Sequence, residues 1–213
     1  MYAEGYVYHI KDEYFIKAND DKLMQNKENG QYRPTYFCIK DETTSLLWVV
    51  PMSSRYEKYQ QIAEKQSAKY GKCLGIVLGE FDGKKAAFLI QNMFPITEKY
   101  LDHIHTRNGN PVPVKYSIQK IIKSHVQQAR LLISKGKKVV FSDVNKLEQL
   151  MIDEILLAHE MARPAAPVKQ SEQKQEKRSS VLSDLKTIKA EQAQDKPDRS
   201  HQRSKTKSNN IEL

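Results

Sequence analysis

From Tyr6 to Ile96 the apolar residues fall in short runs rich in aromatic and β-branched side chains. From Ser117 onward they recur at helical spacing. The first half therefore predicts strands: Tyr6-Val7-Tyr8-His9-Ile10, then Tyr14-Phe15-Ile16 after the polar Lys11-Asp12-Glu13. Asn19 to Gln31 is polar and ends near Asn29-Gly30, the pattern of a loop. Pro34 to Lys40 and Leu46 to Val50 predict a strand pair, with Asp41 to Ser45 as the hairpin connection. Ser53 or Ser54 then opens a helix. Ser54 and Glu57 have capping-box spacing, Tyr59, Ile62, Ala63 and Tyr70 give a partial apolar face, and Gly71 supplies a left-handed stop. Cys73 to Leu78 and Lys85 to Ile90 predict a second hairpin about Asp82-Gly83, and Met93 to Ile96 a further short strand.

The second half predicts two helices. Ser117 to Ser134 carries Ile118, Ile121, Ile122, Ala129, Leu132 and Ile133 near helical spacing, and Gly136 ends it. Ser142 or Asp143 caps the next, which runs to about Ala162 with Val144, Leu147, Met151 and Ile155 on one face. Beyond Arg163, Pro164 and Pro167 break the pattern, and Lys, Gln, Ser and Glu dominate. Val181, Leu182, Leu185 and Ile188 are too few to offset ordering entropy, so residues 163–213 are expected to be a largely disordered tail. Residues 1–162 are then one folded α+β domain, large enough to bury roughly 70% of its unfolded surface.

Charge sharpens this division. The net charge is +9, and residues 163–213 supply +5 of it, with 12 Lys+Arg against 7 Asp+Glu. A basic chain favours polyanions, most often nucleic acid. No run approaches the roughly 20 apolar residues that cross a bilayer, and Met1 to Lys11 lacks a signal pattern, so a cytoplasmic protein with no membrane partner is expected. Cys38 and Cys73, both in apolar runs, read as buried free thiols. There is no CxxC pair, HExxH or calcium loop, and no Gly-rich phosphate loop or G-x-S-x-G elbow. His103-x-His105 suggests no third ligand, and His9 reads as a packed strand histidine. The expectation is no metal and no cofactor.

What remains is Ser53, Ser54 and Arg55, with Arg33 and Lys40 nearby in the hairpin arrangement. RNA cleavage needs a group to take the 2′-OH proton, cations for the phosphorane charge and a donor for the leaving 5′-oxygen. Arginine grips phosphate bidentately, and hydroxyls orient its oxygens. The serines also read simply as a helix cap, with Arg55 a solvated first residue. The two readings are compatible, because a helix N-terminus attracts phosphate. Lys120, Lys123 and Arg130 form a polar stripe on the long helix, extended by Lys115, Lys135, Lys137 and Lys138. It is either a solvated face or a surface that tracks an RNA backbone. Tyr32, Tyr36 and Tyr56 cluster near the serines, as core or rim residues or as rings that stack on bases.

Taken in order, several pieces resemble one family. Tyr8-x-Ile10 with Asp20-Asp21-Lys22 comes first, then Arg33-Pro34 before a strand and Pro51-Met52-Ser53-Ser54. Phe88-Leu89-Ile90-x-x-Met93-Phe94-Pro95-Ile96 follows, and Pro113-Val114-Lys115-Tyr116 leads into the long helix. From about Gly5 to Glu160 the chain resembles the endoribonuclease toxins of type III toxin–antitoxin systems, the ToxN, AbiQ and CptN group, and most the CptN-like branch. The resemblance implies a Kid/MazF-like fold, a twisted antiparallel sheet close to a barrel and wrapped by helices. It implies metal-independent RNA cleavage leaving a 2′,3′-cyclic phosphate, cellular or phage RNA as substrate, and a role in phage defence by abortive infection. It also implies a small repeat-derived pseudoknot RNA as antitoxin, in a closed RNA–protein hetero-oligomer.

On this resemblance the catalytic set is Ser53, Ser54, Arg33 and Arg55. The RNA contacts are Lys40, Tyr56, Lys115, Tyr116, Lys120, Lys123 and Arg130. ToxN-like members carry a lysine two positions after the second hydroxyl residue. Here Tyr56 stands there, and Arg55 is the adjacent cation. The rival classes are a non-catalytic nucleic-acid-binding accessory protein of a mobile element and a MazF-like ribonuclease with a protein antitoxin.

Overall fold

The computed structural model describes residues 2–28 and 30–162. Its framework is an antiparallel sheet built around one strand. Val7–Ile10 (β1), Thr35–Lys40 (β4), Leu47–Ser53 (β5), Ile76–Phe81 (β6), Lys84–Leu89 (β7) and Leu101–Ile104 (β9) lie in the order β6-β7-β5-β4-β1-β9. Phe94–Ile96 (β8) pairs with the first half of β5 on the edge that β7 takes over further along. Short hairpins join Lys27–Glu28 (β2) to Gln31–Tyr32 (β3), and Thr106–Arg107 (β10) to Asn110–Pro111 (β11). The helices are Asp12–Ala18 (α1), Tyr56–Tyr70 (α2), Tyr116–Ser134 (α3) and Val144–Met161 (α4). The expectation of an α+β fold with an antiparallel sheet short of a full barrel holds: among the described residues no main-chain ladder joins its edge strands β6 and β9.

Three apolar clusters explain why helices wrap the sheet. On one face Ile122, Val126 and Ala129 of α3 pack against Tyr36, Trp48, Val50, Met52 and Phe88. On the other, Leu147 and Met151 of α4 join Tyr14 of α1, Leu47, Val49, Phe94 and Ile96. Tyr59 and Ala63 of α2 cover Ile76, Ala87 and Leu89. All seven residues of β5 are buried, because alternate side chains feed two different clusters. The approach of α3 to β6 is close enough that a Cβ at Gly79 would lie 2.7 Å from Ile118 Cδ1.

Local expectations fail where tertiary contacts override the pattern. Tyr14-Phe15-Ile16 lies in α1, not in a strand. Tyr14 and Ala18, four residues apart, are buried while Ile16 is 78% exposed, which is helical and not alternating burial. Asn19, at φ 42°, closes that helix in the left-handed conformation. The expected loop from Asn19 contains the β2–β3 hairpin. The two later hairpins form as predicted. Asp82 and Gly83 both have positive φ, 50° and 75°, as a two-residue turn matching strand twist requires. Asp143 caps α4, its Oδ1 accepting from Lys146 N at 3.2 Å. Cys38 is buried and Cys73 half-buried, both free. Burial pushes the Cys38 thiol up to about 12. The tail expected at 163–213 lies outside the described residues.

Arg130 of α3 has a structural role. Its guanidinium lies over the Trp48 ring at 4.6 Å and donates to Asp41 Oδ2 in the β4–β5 connection. Burial pushes the Asp41 carboxyl up, but Arg130 and the Thr44 and Thr43 amides outweigh it and hold the group below its ordinary value. A depressed folded-state value means this contribution is complete above the unfolded value, about pH 4, and is lost as the pH falls through the folded one. Asp41→Asn is expected to lower stability by about 1–3 kcal/mol at neutral pH. The difference from wild type should shrink on acidification below about pH 4; urea denaturation at both ends of that range measures it.

Candidate active site

The end of β5 is the point where the sheet opens. Met52 N donates to Pro34 O of the β4 side at 3.0 Å. Successive residues of a strand present their amides to opposite edges, so Pro51 turns its ring nitrogen toward the other edge. That edge is where β5 passes from β8, paired to Leu47–Val49, to β7, paired to Met52 and Ser53. A residue without an N–H costs no ladder bond at this break. The strand continues through Pro51, three residues further than its apolar run predicts, and delivers Ser53 opposite Ala87.

The capping box expected from Ser54 and Glu57 does not form. Arg55 is the N-cap of α2, with no side-chain cap bond. Ser53 Oγ instead accepts from Arg55 N at 3.2 Å, fixing the turn between strand and helix. Ser53 is 4% exposed, whereas Ser54 and Arg55 are exposed on the rim. Together with Arg33, Tyr32 and Pro34 these three residues line a cleft of about 480 Å³. The structure thus brings all four expected catalytic residues into one depression.

Arg33 arrives there as a clamp. It is 8% exposed; its Nε donates to Gln25 O at 3.0 Å and its Nη1 to Met52 O at 3.1 Å. Its own amide donates to Asn26 O at 2.6 Å. One side chain therefore ties the segment before β2 to the end of β5. Charge-assisted bonds to otherwise unpaired carbonyls make this geometry costly to break.

A second cavity of about 180 Å³ adjoins the first through Pro34, Met52, Ser53 and Ser54. Its far wall holds Lys84 and Lys85 of β7, Asp82 of the β6–β7 turn, and His105 just past β9. Lys85 Nζ lies 5.1 Å from the centre of the Tyr56 ring, and His105 Nε2 is 3.3 Å from Asp82 Oδ2. Ser53 and Ser54 thus line both cavities, the first shared with two arginines and the second with two lysines and a histidine–carboxylate pair. Sequence reasoning took Asp82 only as a turn residue and His105 only as half of a metal pair, and it passed over Lys84 and Lys85. The signal available was the hairpin itself, which puts Lys84 and Lys85, one on each face, at the start of a strand that pairs with Ser53.

His9 extends the row of rings near the cleft. It stacks on His103 at 4.4 Å between ring centres and meets the Tyr32 ring edge-on at 6.2 Å. Burial, then the neighbouring His103 and His105, lower its pKa, which keeps the ring neutral at pH 7. Among the described residues, no group of three or more His, Cys, Asp or Glu side chains is placed to hold a metal ion.

The remaining expected RNA contacts do not line either cavity. Lys40 pairs with Glu98 at 3.2 Å, Lys115 with Glu80 at 2.9 Å and Lys123 with Glu4 at 3.3 Å. Lys120 lies over the Tyr116 ring at 4.6 Å, and Tyr116 is 71% exposed. These pairs are solvent-facing, except that of Arg130, which is engaged with Asp41 and Trp48.

No protein-family model matches the sequence, and no curated protein does. Among solved structures, the fold is similar to that of AbiQ, described as a lactococcal anti-phage endoribonuclease belonging to the type III toxin–antitoxin system. The likeness has a TM-score of 0.55 at 15% identity and covers 74% of this chain and 99% of AbiQ. The chain therefore has an AbiQ-like fold. Among the described residues, no helix is long and apolar enough to cross a membrane.

Removing the Arg33 clamp is expected to destabilise the fold whatever the chemistry of the cleft. Arg33→Ala should lower the unfolding free energy by about 2–3 kcal/mol, because it strands buried carbonyls. Arg33→Lys should recover less than half of that, since an ammonium cannot reproduce the fork. Urea denaturation of the variants measures both; stability equal to wild type in Arg33→Ala would contradict the clamp.

Proposed function

We propose that this protein is the toxin of a type III toxin–antitoxin system, a metal-independent endoribonuclease held in check by a small pseudoknot RNA. The observation that carries the reading is the placement of Ser53 and Ser54, in an AbiQ-like fold, where two cavities lined by basic residues meet. A phosphodiester is a compact anion with oxygens to orient, and this cleft offers hydroxyls at its floor and fixed cations at its sides. The placement in the CptN-like branch rests on the sequence motifs alone.

In the proposed mechanism the hydroxyls of Ser53 and Ser54 position the scissile phosphate. Arg55 at the rim and Lys85 opposite supply positive charge where the phosphorane develops it. Arg33, committed to two carbonyls, shapes the cleft and adds its field from below. The 2′-oxygen attacks phosphorus, the 5′-oxygen leaves, and a 2′,3′-cyclic phosphate remains. Exposed Tyr32 lines the cleft, half-buried Tyr56 follows Arg55 at the start of α2, and both are suited to stacking on neighbouring bases.

The surface of Lys40, Lys115, Tyr116, Lys120 and Lys123 is the proposed grip for the antitoxin. Lys40, Lys115 and Lys123 pair with carboxylates on the protein surface, and such exposed pairs contribute only about 0–1 kcal/mol each. They can therefore be exchanged for RNA phosphates at little cost. A repeat-derived RNA bound along this face would allow the closed RNA–protein assembly that the resemblance implies.

Expressed without antitoxin, the wild-type protein is expected to arrest bacterial growth, and Ser53→Ala with Ser54→Ala is expected to relieve it. In vitro, cleavage of total bacterial RNA should persist in EDTA and leave 5′-hydroxyl ends, with a loss of about 10²-fold or more in the double variant. Full toxicity of a folded double variant would overturn the site. A short upstream reading frame in place of tandem repeats before a terminator would overturn the RNA antitoxin.

A further inference from the structure

We propose that His105 is the proton acceptor of this site, a catalytic residue oriented by Asp82; the inference rests on the endoribonuclease reading and assigns its missing base. The serines and arginines of the cleft can position and stabilise a phosphate, but none is a ready acceptor for a ribose proton near neutral pH. An imidazole is the side chain whose ordinary titration range suits that task.

Three observations place His105 in the role. First, it lines the same cavity as Ser53 and Ser54. Second, its position is held from several directions. Its amide donates to Val7 O at 2.8 Å, its carbonyl accepts from Val112 N at 3.2 Å, and its ring lies 5.0 Å from that of Phe81. Third, its Nε2 faces Asp82 Oδ2 at 3.3 Å, while Asp82 Oδ1 faces Arg107 Nη1 at 3.2 Å. A carboxylate can only accept, so Nε2 carries the hydrogen and Nδ1 of the neutral ring carries the lone pair. Asp82 itself sits at φ 50° in a two-residue turn, which fixes the carboxylate's direction.

The same contacts close the sheet. Asp82 belongs to the β6–β7 turn and His105 follows β9, so the pair joins its two edges, which share no main-chain ladder. The pair stands beside the cavity, which the end of β5 and the start of β7 also line.

In the step, the ribose 2′-hydroxyl proton passes to His105 Nδ1 as the 2′-oxygen forms its bond to phosphorus. The P–O5′ bond breaks, and the 5′-oxygen takes a proton from the Lys85 ammonium. Solvent water then returns a proton to Lys85 and removes one from His105. No oxidant, metal or other co-reactant enters the balance. The charged and titratable groups around His105 are Asp82 and, beyond it, Arg107; Lys84 and Lys85 across the cavity; and His9, which interacts with both His103 and His105.

The test is single-turnover cleavage of total bacterial RNA between about pH 5 and 9. Wild type should show a limb in which the rate rises with pH. His105→Gln should lose about 10²-fold or more in rate at neutral pH and lose that limb, at a melting temperature that shows it folded. His105→Gly should regain rate with added imidazole, which a merely structural role would not allow. Asp82→Asn, kept as the second variant should both His105 variants fail to fold, should lower the rate at least 10-fold and displace the limb. Wild-type cleavage that dies with Ser53→Ala and Ser54→Ala but keeps rate and limb in folded His105→Gln, or in Asp82→Asn where that variant must decide, overturns this inference alone. A wild-type protein that cuts no RNA at any pH overturns the endoribonuclease reading, and this inference with it.

Discussion

The burial of β5 on both faces is the constraint from which the rest follows. Leu47, Val49 and Pro51 point one way and Trp48, Val50 and Met52 the other, and all are buried. A strand in that position must have ladder partners on both edges and apolar cover on both sides. Three partner strands, β4, β7 and β8, and the α3 and α4 helices are organised by this need. Where the cover ends, at Ser53, the same strand becomes the floor of the cleft. The candidate site is therefore not an addition to the fold but the place where its most buried strand reaches the surface.

Closure of the sheet follows a different logic. A curled antiparallel sheet of this size leaves two edges, each with unpaired amides and carbonyls. Here they meet through Asp82, His105 and Arg107 at the tip of one hairpin, not through a continued ladder. Beside this contact lies a small cavity shared by Ser53 and Ser54 at the end of β5, Lys84 and Lys85 at the start of β7, and His105.

Basic residues have three distinct uses in this chain. Arg33 and Arg130 are bound to carbonyls, a carboxylate or an indole face, and they stabilise strand connections. Lys84, Lys85 and Arg55 line the cavities. Lys40, Lys115 and Lys123 lie on the surface in loose pairs with carboxylates. Net charge alone cannot separate these uses, since each contributes the same unit to the total. The distinction is desolvation: a buried guanidinium must satisfy its donors internally, whereas a surface ammonium can trade one anion for another.

The α+β class, both tight hairpins, the two long helices and the grouping of Arg33 with Ser53-Ser54-Arg55 were legible in the residues, because each rests on local periodicity or turn chemistry. Asp82-Gly83 needed only its two left-handed positions to be read as a turn. Tyr14-Phe15-Ile16 was misread because three apolar residues do not define a period, and packing against Phe94 and Tyr100 selected the helix. Ser54 does not cap the helix because Arg55 occupies the N-cap position, its amide held by Ser53 Oγ. Only the tertiary structure decided that Arg33 is a clamp and that His105, Asp82 and Lys85 line a cavity with the serines. Those residues are separated by up to 52 positions from Ser53 to His105. Local pattern carries no information across such separations; the curl of the sheet, set by packing on both faces of β5, brings them together.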